Sequence, residues 1–297
     1  MKEIKPNYYD NFICIADQCN HNCCIGWEID IDPETLALYQ ELPGELGNQL
    51  RASISLEDTP HFILAEYDRC PFLNQQNLCE IIAQIGQENL CNICADHPRF
   101  RNFFTDRVEI GPGLCCEAAG RLILNQKEPM RLIESGTENL TDEEYALLAF
   151  RNKIIRILQD RACSMQTRMD QVLSAIGCSL PDKDWYSVFF DLERLDPAWE
   201  EYLLRLKMRP SLLSAEWEIP FEQLAVYFIY RHLSAGLEDG RIYERVLFSM
   251  LSTAVIWQIF ATDPIHSMDQ LIEIARLYSA EIEYSDENID QLLDKFT

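Results

Sequence analysis

The stretch FICIADQCNHNCCIGW, residues 12–27, carries four cysteines and decides how the N-terminal part of this chain is interpreted. Ten of the twelve cysteines lie in the first 116 residues: Cys14, Cys19, Cys23, Cys24, Cys70, Cys79, Cys91, Cys94, Cys115 and Cys116. Thiolates are soft ligands that suit iron–sulfur clusters, zinc or Cu(I). A chain that concentrates them in one region is predicted to build a metal-centred module.

A disulfide framework or a redox switch is the competing explanation, with inert buried thiols as a third. Disulfide frameworks belong to small secreted chains, whereas 297 residues are enough to bury a large core. The opening residues MKEIKPNYYDNFICIAD contain no apolar signal-peptide segment. The longest uncharged run, residues 246–262, is too short and polar for a membrane span and predicts a buried helix. We therefore expect a cytoplasmic, reducing location that favours metal ligation.

The charge balance narrows the classes of partner. The net charge is -24 and the sequence pI is about 4.5. Such a field repels nucleic-acid phosphates and anionic lipid, so we expect neither nucleic acid nor membrane as a partner. It attracts a basic partner or a lysine-bearing substrate, although acidity that serves only solubility remains the plainer interpretation.

The character of the sequence changes near residue 121, and the pattern predicts a mainly α fold. We expect an irregular cysteine-rich metal-centred module with short strands over residues 1–121, packed on an α-helical bundle over residues 122–297. Residues 28–32 and 62–65 alternate like short strands. Asp32 followed by Pro33 predicts the start of a helix.

The second half shows a helical pattern. Thr141-x-x-Glu144 is a capping box, which opens a long amphipathic run that continues to Ile176. Prolines at or just inside the N-termini of several predicted segments support further helices. These are predicted at about 181–194, 197–208, 219–235, 241–262, 265–281 and 286–296.

The cysteine spacing constrains the metal only in part. A 4Fe–4S cluster and a structural zinc each need four thiolates, and only Cys91 and Cys94 have the spacing of a zinc knuckle. The radical-enzyme triplet C-x3-C-x2-C is absent because residue 26 is Gly26. The sequence also lacks the dinucleotide, phosphate-loop, H-E-x-x-H and G-x-S-x-G motifs.

Three further features are candidate site residues, each with a plainer alternative. His97 is either a ligand or a loop histidine held by backbone bonds. Arg99 belongs to a local basic patch that suits a ligand carboxylate or ordinary ion pairs. The aromatic segment 227–230 either lines a pocket or packs in a helical core.

These motifs resemble the flagellin lysine-N-methylases. F-x-C-x4-C-x3-C-C-x-G-W at residues 12–27 is similar to the opening of that family, and C-P-F-L-N-x4-C at 70–79 to its next block. C-x2-H-P-R at 94–99, L-C-x-E-x3-R at 114–121 and E-x4-Y-F-I-Y-R-H-L at 222–233 also resemble it. Small zinc- or iron-chelating proteins share the cysteine signature but not the helical half.

The resemblance implies methyl transfer from S-adenosylmethionine to lysine ε-amines of flagellin, with an iron–sulfur centre, expected to be 4Fe–4S, and zinc as the alternative. Carried over position by position, it implies the metal ligands Cys14, Cys19, Cys23, Cys24, Cys70, Cys79, Cys94 and Cys115. Cys91 and Cys116 fall outside the pattern and are weaker candidates. The cluster would either organise the fold or hold the methyl donor, and the sequence does not choose between these roles.

Lysine must lose its proton before it attacks, so the chemistry needs a base or a desolvating pocket. Aromatic rings can hold a methylated ammonium. The catalytic candidates are Tyr227, Tyr230 and His232, and the cofactor-binding candidates are Trp27, His97 and Arg99. A non-catalytic metal-binding scaffold and an electron-transfer protein remain the alternative functions.

Overall fold

The computed structural model describes residues 2–133 and 138–296, and it is mainly helical, with 56% helix and 10% strand. The first helices are α1 Pro33–Glu41, α2 Gly44–Ala52, α3 Glu80–Ile85, α4 Asn92–Asp96 and α5 Glu117–Leu124. The later ones are α6 Asp142–Leu158, α7 Met165–Ala175, α8 Trp185–Phe190, α9 Ala198–Leu204, α10 Glu218–His232, α11 Gly236–Asp239, α12 Ile242–Ala261, α13 Met268–Tyr278 and α14 Asp286–Asp294. The strands are β1 Lys2–Pro6, β2 Ile54–Ser55, β3 His61–Phe62, β4 Arg99–Phe103, β5 Arg107–Pro112 and β6 Leu132–Ile133.

The chain forms two compact units that differ from the division expected near residue 121. Ile13–Arg99 is the smaller unit, and the other described residues make the larger one. The larger unit takes in the N-terminal strand because β1 pairs in parallel with β5. It takes in residues 100–121 because α5 packs against α10 and α13.

The smaller unit has one helix start that the sequence predicts. The Asp32 side chain accepts a hydrogen bond from the Thr35 N–H at 3.0 Å, and α1 begins at Pro33. The two strands expected at 28–32 and 62–65 are shorter than predicted. β3 pairs antiparallel with β2 on one side and meets Asp30 through a single bridge on the other.

A four-stranded sheet in the order β4-β5-β1-β6 belongs to the larger unit. Lys2 pairs with Arg107 in parallel register, and Lys5 pairs with Ile133 in antiparallel register. This sheet was not predicted from the sequence, because its strands are short and β1 pairs with strands that lie about a hundred residues or more away in the chain.

Helices α10 and α12 form the centre of the larger unit. Both are buried almost all round, as expected of a helix that is apolar on every face. The hydroxyls of α12 are satisfied within the helix: Ser252 Oγ donates to Phe248 O at 2.7 Å, and Thr253 Oγ1 donates to Ser249 O at 2.9 Å. Within residues 2–133 and 138–296, no helix is long and apolar enough to cross a membrane.

The predicted run from Thr141 to Ile176 is two helices. The capping box at its start is present as expected, but α6 ends at Leu158, and Ser164 caps α7 by accepting from the Thr167 N–H. The intervening polar turn supplies that second N-cap, so the single-helix prediction was wrong. The helix predicted at 181–194 shortens to α8, and the one at 265–281 becomes α13 followed by a π-helix, Ser279–Glu283.

Candidate functional site

Five thiols share the core of the smaller unit. They belong to Cys24, Cys70, Cys79, Cys91 and Cys94. The loop carrying Cys24 is tied to the next block because the Cys70 N–H donates to Cys24 O at 2.8 Å. Cys79 immediately precedes α3, and Cys91 immediately precedes α4. Short helices and loops therefore bring together thiols from three separate sequence blocks.

Electrostatics within this group are unfavourable for thiolates without a cation. Burial raises the pKa of the Cys70 thiol to about 11. The hydrogen bond between Cys91 and Cys94 lowers the pKa of Cys91 and raises that of Cys94, and the charges of Cys24 and Cys70 raise the latter further. A bound metal ion would supply the missing positive charge, and a donor set of thiols suits iron–sulfur clusters and zinc. The donor set therefore fits the group implied by the resemblance.

In this conformation the candidate metal-ligand atoms do not converge on a single position. Over the described ranges, no three His, Cys, Asp or Glu side chains stand in a geometry that could hold a metal ion. Thiol–thiol hydrogen bonds join Cys23 to Cys24 and Cys91 to Cys94. The first of these lowers the pKa of Cys23 to about 7.

The remaining predicted ligands are placed differently. Cys14 and Cys23 are exposed, and Cys19 is half-buried with its thiol donating to His21 O at 3.1 Å. Cys115 belongs to the larger unit. These four positions stay predictions, and the core of the smaller unit is formed without Cys14 and Cys19.

The three cofactor-binding candidates lie near one another in the smaller unit. Trp27 Nε1 donates to Cys23 O, and the Trp27 and His97 rings are 6.1 Å apart between centroids. Arg99 Nη1 donates to Ala95 O at 3.2 Å. Burial, and then the charge of Arg99, lower the pKa of His97 to about 4, so the ring is neutral near pH 7. Its Nε2 is buried with no hydrogen-bond partner among the described residues, as a group that meets a ligand would be.

A second polar site is built around Glu283 in the larger unit. Its carboxylate is fully buried and accepts from Tyr227 Oη at 3.1 Å. His232 Nε2 lies 2.6 Å from Glu283 Oε1, and Arg231 Nε lies 3.3 Å from the same oxygen. Arg231 also donates to Tyr227 Oη at 2.7 Å, and so does the Leu114 N–H at 3.1 Å. α10 supplies three of these side chains, and the π-helix supplies the carboxylate, which suits the frequent use of π-helices at functional sites.

The charges in this network favour a carboxylate beside a neutral imidazole. Burial opposes ionisation of Glu283, but Arg231 and the hydrogen bond from His232 hold its pKa below the usual range. Burial lowers the pKa of His232, and Arg231 and Arg245 add to this effect against the opposing pull of Glu283. A neutral imidazole held by a carboxylate is the arrangement of a general base.

Tyr230 does not join that network. Its hydroxyl donates to Ile110 O at 3.0 Å, and its ring lies 5.3 Å from the Arg151 guanidinium carbon. The aromatic rings around the network also already hold a cation. The guanidinium carbon of Arg231 is 5.3 Å from the Phe100 ring centroid and 4.8 Å from that of Tyr284. In this conformation the cation held by the aromatic rings is Arg231.

Three residues of these sites were missed or ranked low by the sequence analysis. Cys91 was ranked low because the family pattern omits it, although its knuckle spacing with Cys94 was a usable signal. Arg231 stands four residues after Tyr227, a spacing that places both on one helix face. Glu283 gave no signal, because it lies 51 residues from His232 and only the tertiary fold brings them together.

Comparison with known proteins places this network within a recognised segment. Residues 169–297 match the family described as the FliB lysine N-methylase C-terminal domain. A lysine-N-methylase of Salmonella choleraesuis strain SC-B67 is 24% identical over 167 residues, which are 53% of this chain and 42% of the relative. A lysine-N-methylase of Salmonella typhimurium strain LT2 shows the same identity and coverage.

A flagellar biosynthetic protein FliU of Salmonella muenchen is 26% identical over 144 residues, 45% of this chain and 85% of that protein. These matches confirm the resemblance to the lysine N-methylase family. The chain spans less than half the length of the two lysine-N-methylases that it matches. No solved structure matches this chain.

Proposed function

We propose that this protein is a lysine N-methyltransferase that transfers methyl groups from S-adenosylmethionine to lysine ε-amines of flagellin. The observation that carries the proposal is the match of residues 169–297 to a lysine N-methylase domain, because Tyr227, Arg231, His232 and Glu283 all lie within it. The flagellar name of one relative supports flagellin as the substrate. The net charge of -24 favours a lysine-bearing partner.

The reaction removes one proton from the lysine ammonium before the amine attacks. The nitrogen lone pair then forms a bond to the methyl carbon, the carbon–sulfur bond of the donor breaks, and the donor leaves as its uncharged thioether. We assign the base to neutral His232, with Glu283 stabilising the imidazolium that forms. Both groups are buried, so lysine must enter where the network meets solvent. Tyr284, which is 48% exposed and lies over Arg231, marks that edge.

We propose further that the thiols of the smaller unit hold an iron–sulfur centre, expected to be 4Fe–4S. The residues that would hold it are Cys24, Cys70, Cys79, Cys91 and Cys94, which is one more than a single cluster requires. When bound, the cluster supplies positive charge that neutralises the thiolates and links three loops. The orphaned Nε2 of His97 offers a further polar partner for a bound ligand.

The test is methyl transfer by the anaerobically purified full chain, using flagellin and radiolabelled methyl donor. His232→Gln should lower the rate by about a hundredfold, because it removes the proposed base, while iron content stays unchanged. Tyr243→Phe, which removes an exposed hydroxyl, is the control and should retain full activity. Equal rates for the wild type and His232→Gln would refute the assignment of the base.

A metal-binding scaffold without catalysis is the second candidate. It is favoured by the burial of the Glu283 network, whose carboxylate oxygens both have partners in this conformation. A scaffold would bind iron or zinc and transfer no methyl group, so the same assay separates the two candidates.

A further inference from the structure

A groove of about 590 Å³ lies along the β2–β3 hairpin of the smaller unit. Its lining includes Glu28, Ser55, Leu56, Glu57, His61 and Ile63. Side chains alternate across a sheet, so Phe62 on β3 turns to the core while its neighbours His61 and Ile63 face the groove. The groove is therefore the outer face of a hairpin whose inner face is packed.

One margin of the groove is an unpaired strand edge. The Ile63 N–H donates to Ser53 O at 2.8 Å, and the Phe62 N–H donates to Ile29 O at 3.0 Å on the opposite side of β3. β2 thus has β3 on one side only, and in the described part of the chain no strand pairs with its other side. Because the main-chain polar groups of successive strand residues alternate in direction, those of Ile54 point away from β3.

The side chains around the groove combine apolar and acidic character. Leu56 is 64% exposed and Ile63 is 52% exposed, an unusual state for large aliphatic groups close together. Glu28 and Glu57 supply carboxylates on opposite sides of β3, and Glu28 Oε2 lies 3.7 Å from His61 Nε2. A lysine side chain is complementary to this lining, because its aliphatic stem can cover apolar surface while its ammonium reaches a carboxylate.

We propose that this groove binds an extended, lysine-bearing polypeptide segment that crosses the outer face of the β2–β3 hairpin between Glu28 and Glu57. Glu28 and Glu57 would receive lysine ammonium groups, and Leu56 and Ile63 would pack against the lysine stems. The volume is within the range of sites that take small ligands or a few residues of a peptide. The proposal rests on the proposed function in one respect, because it assigns the groove to the polypeptide substrate of lysine methylation.

The test is fluorescence anisotropy with the full chain and a labelled nine-residue synthetic peptide that alternates lysine with threonine. The double variant Glu28→Gln/Glu57→Gln should weaken binding roughly fivefold, as expected for two exposed ion pairs. The control Glu41→Gln/Glu45→Gln removes the same charge from exposed positions outside the groove and should leave binding nearly unchanged. A peptide with glutamine in place of every lysine should bind at least as weakly as the double variant does to the original peptide.

Equal weakening by the two double variants would overturn the proposal, since it would show attraction by net charge alone. Full binding of the glutamine peptide would overturn it as well. Methyl-transfer kinetics separate its failure from that of the proposed function. If the wild type methylates flagellin and Glu28→Gln/Glu57→Gln leaves KM unchanged, the groove assignment fails alone. If the wild type binds the peptide in the groove but transfers no methyl group, the proposed function fails alone.

Discussion

Glu283 is the residue on which the polar network of the larger unit depends. Its carboxylate meets Tyr227, Arg231 and His232 with no exposure to water. Removing one partner of a buried ion pair leaves the other charge uncompensated, which costs far more than the net value of the pair. The residue therefore contributes to stability whether or not it also acts in catalysis.

We predict that Glu283→Gln lowers the free energy of unfolding by about 3–5 kcal/mol, because it leaves the Arg231 guanidinium buried without a counter-charge. Urea unfolding followed by circular dichroism measures the loss. Glu201→Gln, at an exposed position of α9, is the matched control and should change stability by less than about 0.5 kcal/mol. Equal stability of the two variants would contradict the network.

His232 makes the same network sensitive to pH. The pKa of His232 in the folded state lies below the ordinary value of about 6.5. The stability that the neutral imidazole contributes is therefore present above about pH 6.5 and is lost as the pH falls through the folded-state pKa. Between the ordinary value of about 6.5 and the lower folded-state pKa of His232, unfolding should take up a proton, with a slope of up to about 1.4 kcal/mol per pH unit. His232→Gln should reduce this slope in urea titrations. An unchanged slope in His232→Gln would show that the imidazole is not buried neutral.

The structure and the family pattern predict different cysteine ligands for the metal centre of the smaller unit. The pattern includes Cys14 and omits Cys91, whereas the structure exposes Cys14 and buries Cys91 among other thiols. We therefore predict that Cys91→Ser loses most of its iron after anaerobic purification, and that Cys14→Ser retains most of it. Elemental analysis measures both. Loss in Cys14→Ser with retention in Cys91→Ser would favour the pattern over the structure.

Whether a contact between residues can be predicted from the sequence depends on how far apart the two residues lie in the chain. The sequence singled out Cys24, Cys70, Cys79 and Cys94 as metal ligands, because thiols have few other reasons to recur at such spacings, but it did not say which of them lie together. Their role as ligands stays a prediction. The partnership of His232 with Glu283 was out of reach, because nothing local to either residue specifies it. The roles assigned to Tyr227, Tyr230 and His232 stay predictions.

At the scale of elements, local signals predicted helix starts well. Asp32 caps α1, and Thr141 with Glu144 forms the expected capping box. Glu144 also accepts from the Thr105 N–H at 2.7 Å, so the start of α6 is tied to the turn between β4 and β5. A cap depends on residues within one turn, and for that reason the sequence reveals it.

Thr141→Ala should lower the free energy of unfolding by about 1 kcal/mol, because it removes the hydrogen bond to the Glu144 N–H. Ser174→Ala, at an exposed position within α7, is the control and should be neutral or slightly stabilising. Thermal or urea unfolding measures both. A loss in Ser174→Ala as large as that in Thr141→Ala would show that hydroxyl removal, and not capping, is responsible.

The elements that the sequence analysis missed depend on distant partners. The sheet joins β1 to β5 across about a hundred residues, and periodicity carries no information about such pairing. The π-helix at Ser279–Glu283 looked like the end of α13. There Glu281 accepts from the backbone N–H groups of Leu195 and Asp196, at 2.9 and 2.7 Å. These tertiary hydrogen bonds are formed where the chain departs from a regular α-helix. The local sequence pattern does not reveal them.

At the scale of the whole molecule, two compact units carry two kinds of chemistry. The smaller holds the thiol core and a groove lined by two carboxylates, and the larger holds a buried network of carboxylate, imidazole and guanidinium. The division expected from composition near residue 121 differs from these units, because residues 1–12 and 100–121 belong to the larger one. The acidity of the chain gives both units a field that favours lysine-bearing polypeptides.

Peptide-mapped mass spectrometry of flagellin is the decisive experiment for lysine methylation by this chain. Flagellin is incubated under anaerobic conditions with the purified, iron-loaded chain and S-adenosylmethionine, with a parallel sample that lacks the methyl donor. We expect peptides that are heavier by about 14 Da on lysine, and their formation should require both the donor and the chain. Unmodified lysines in the presence of intact iron–sulfur protein and donor would contradict it.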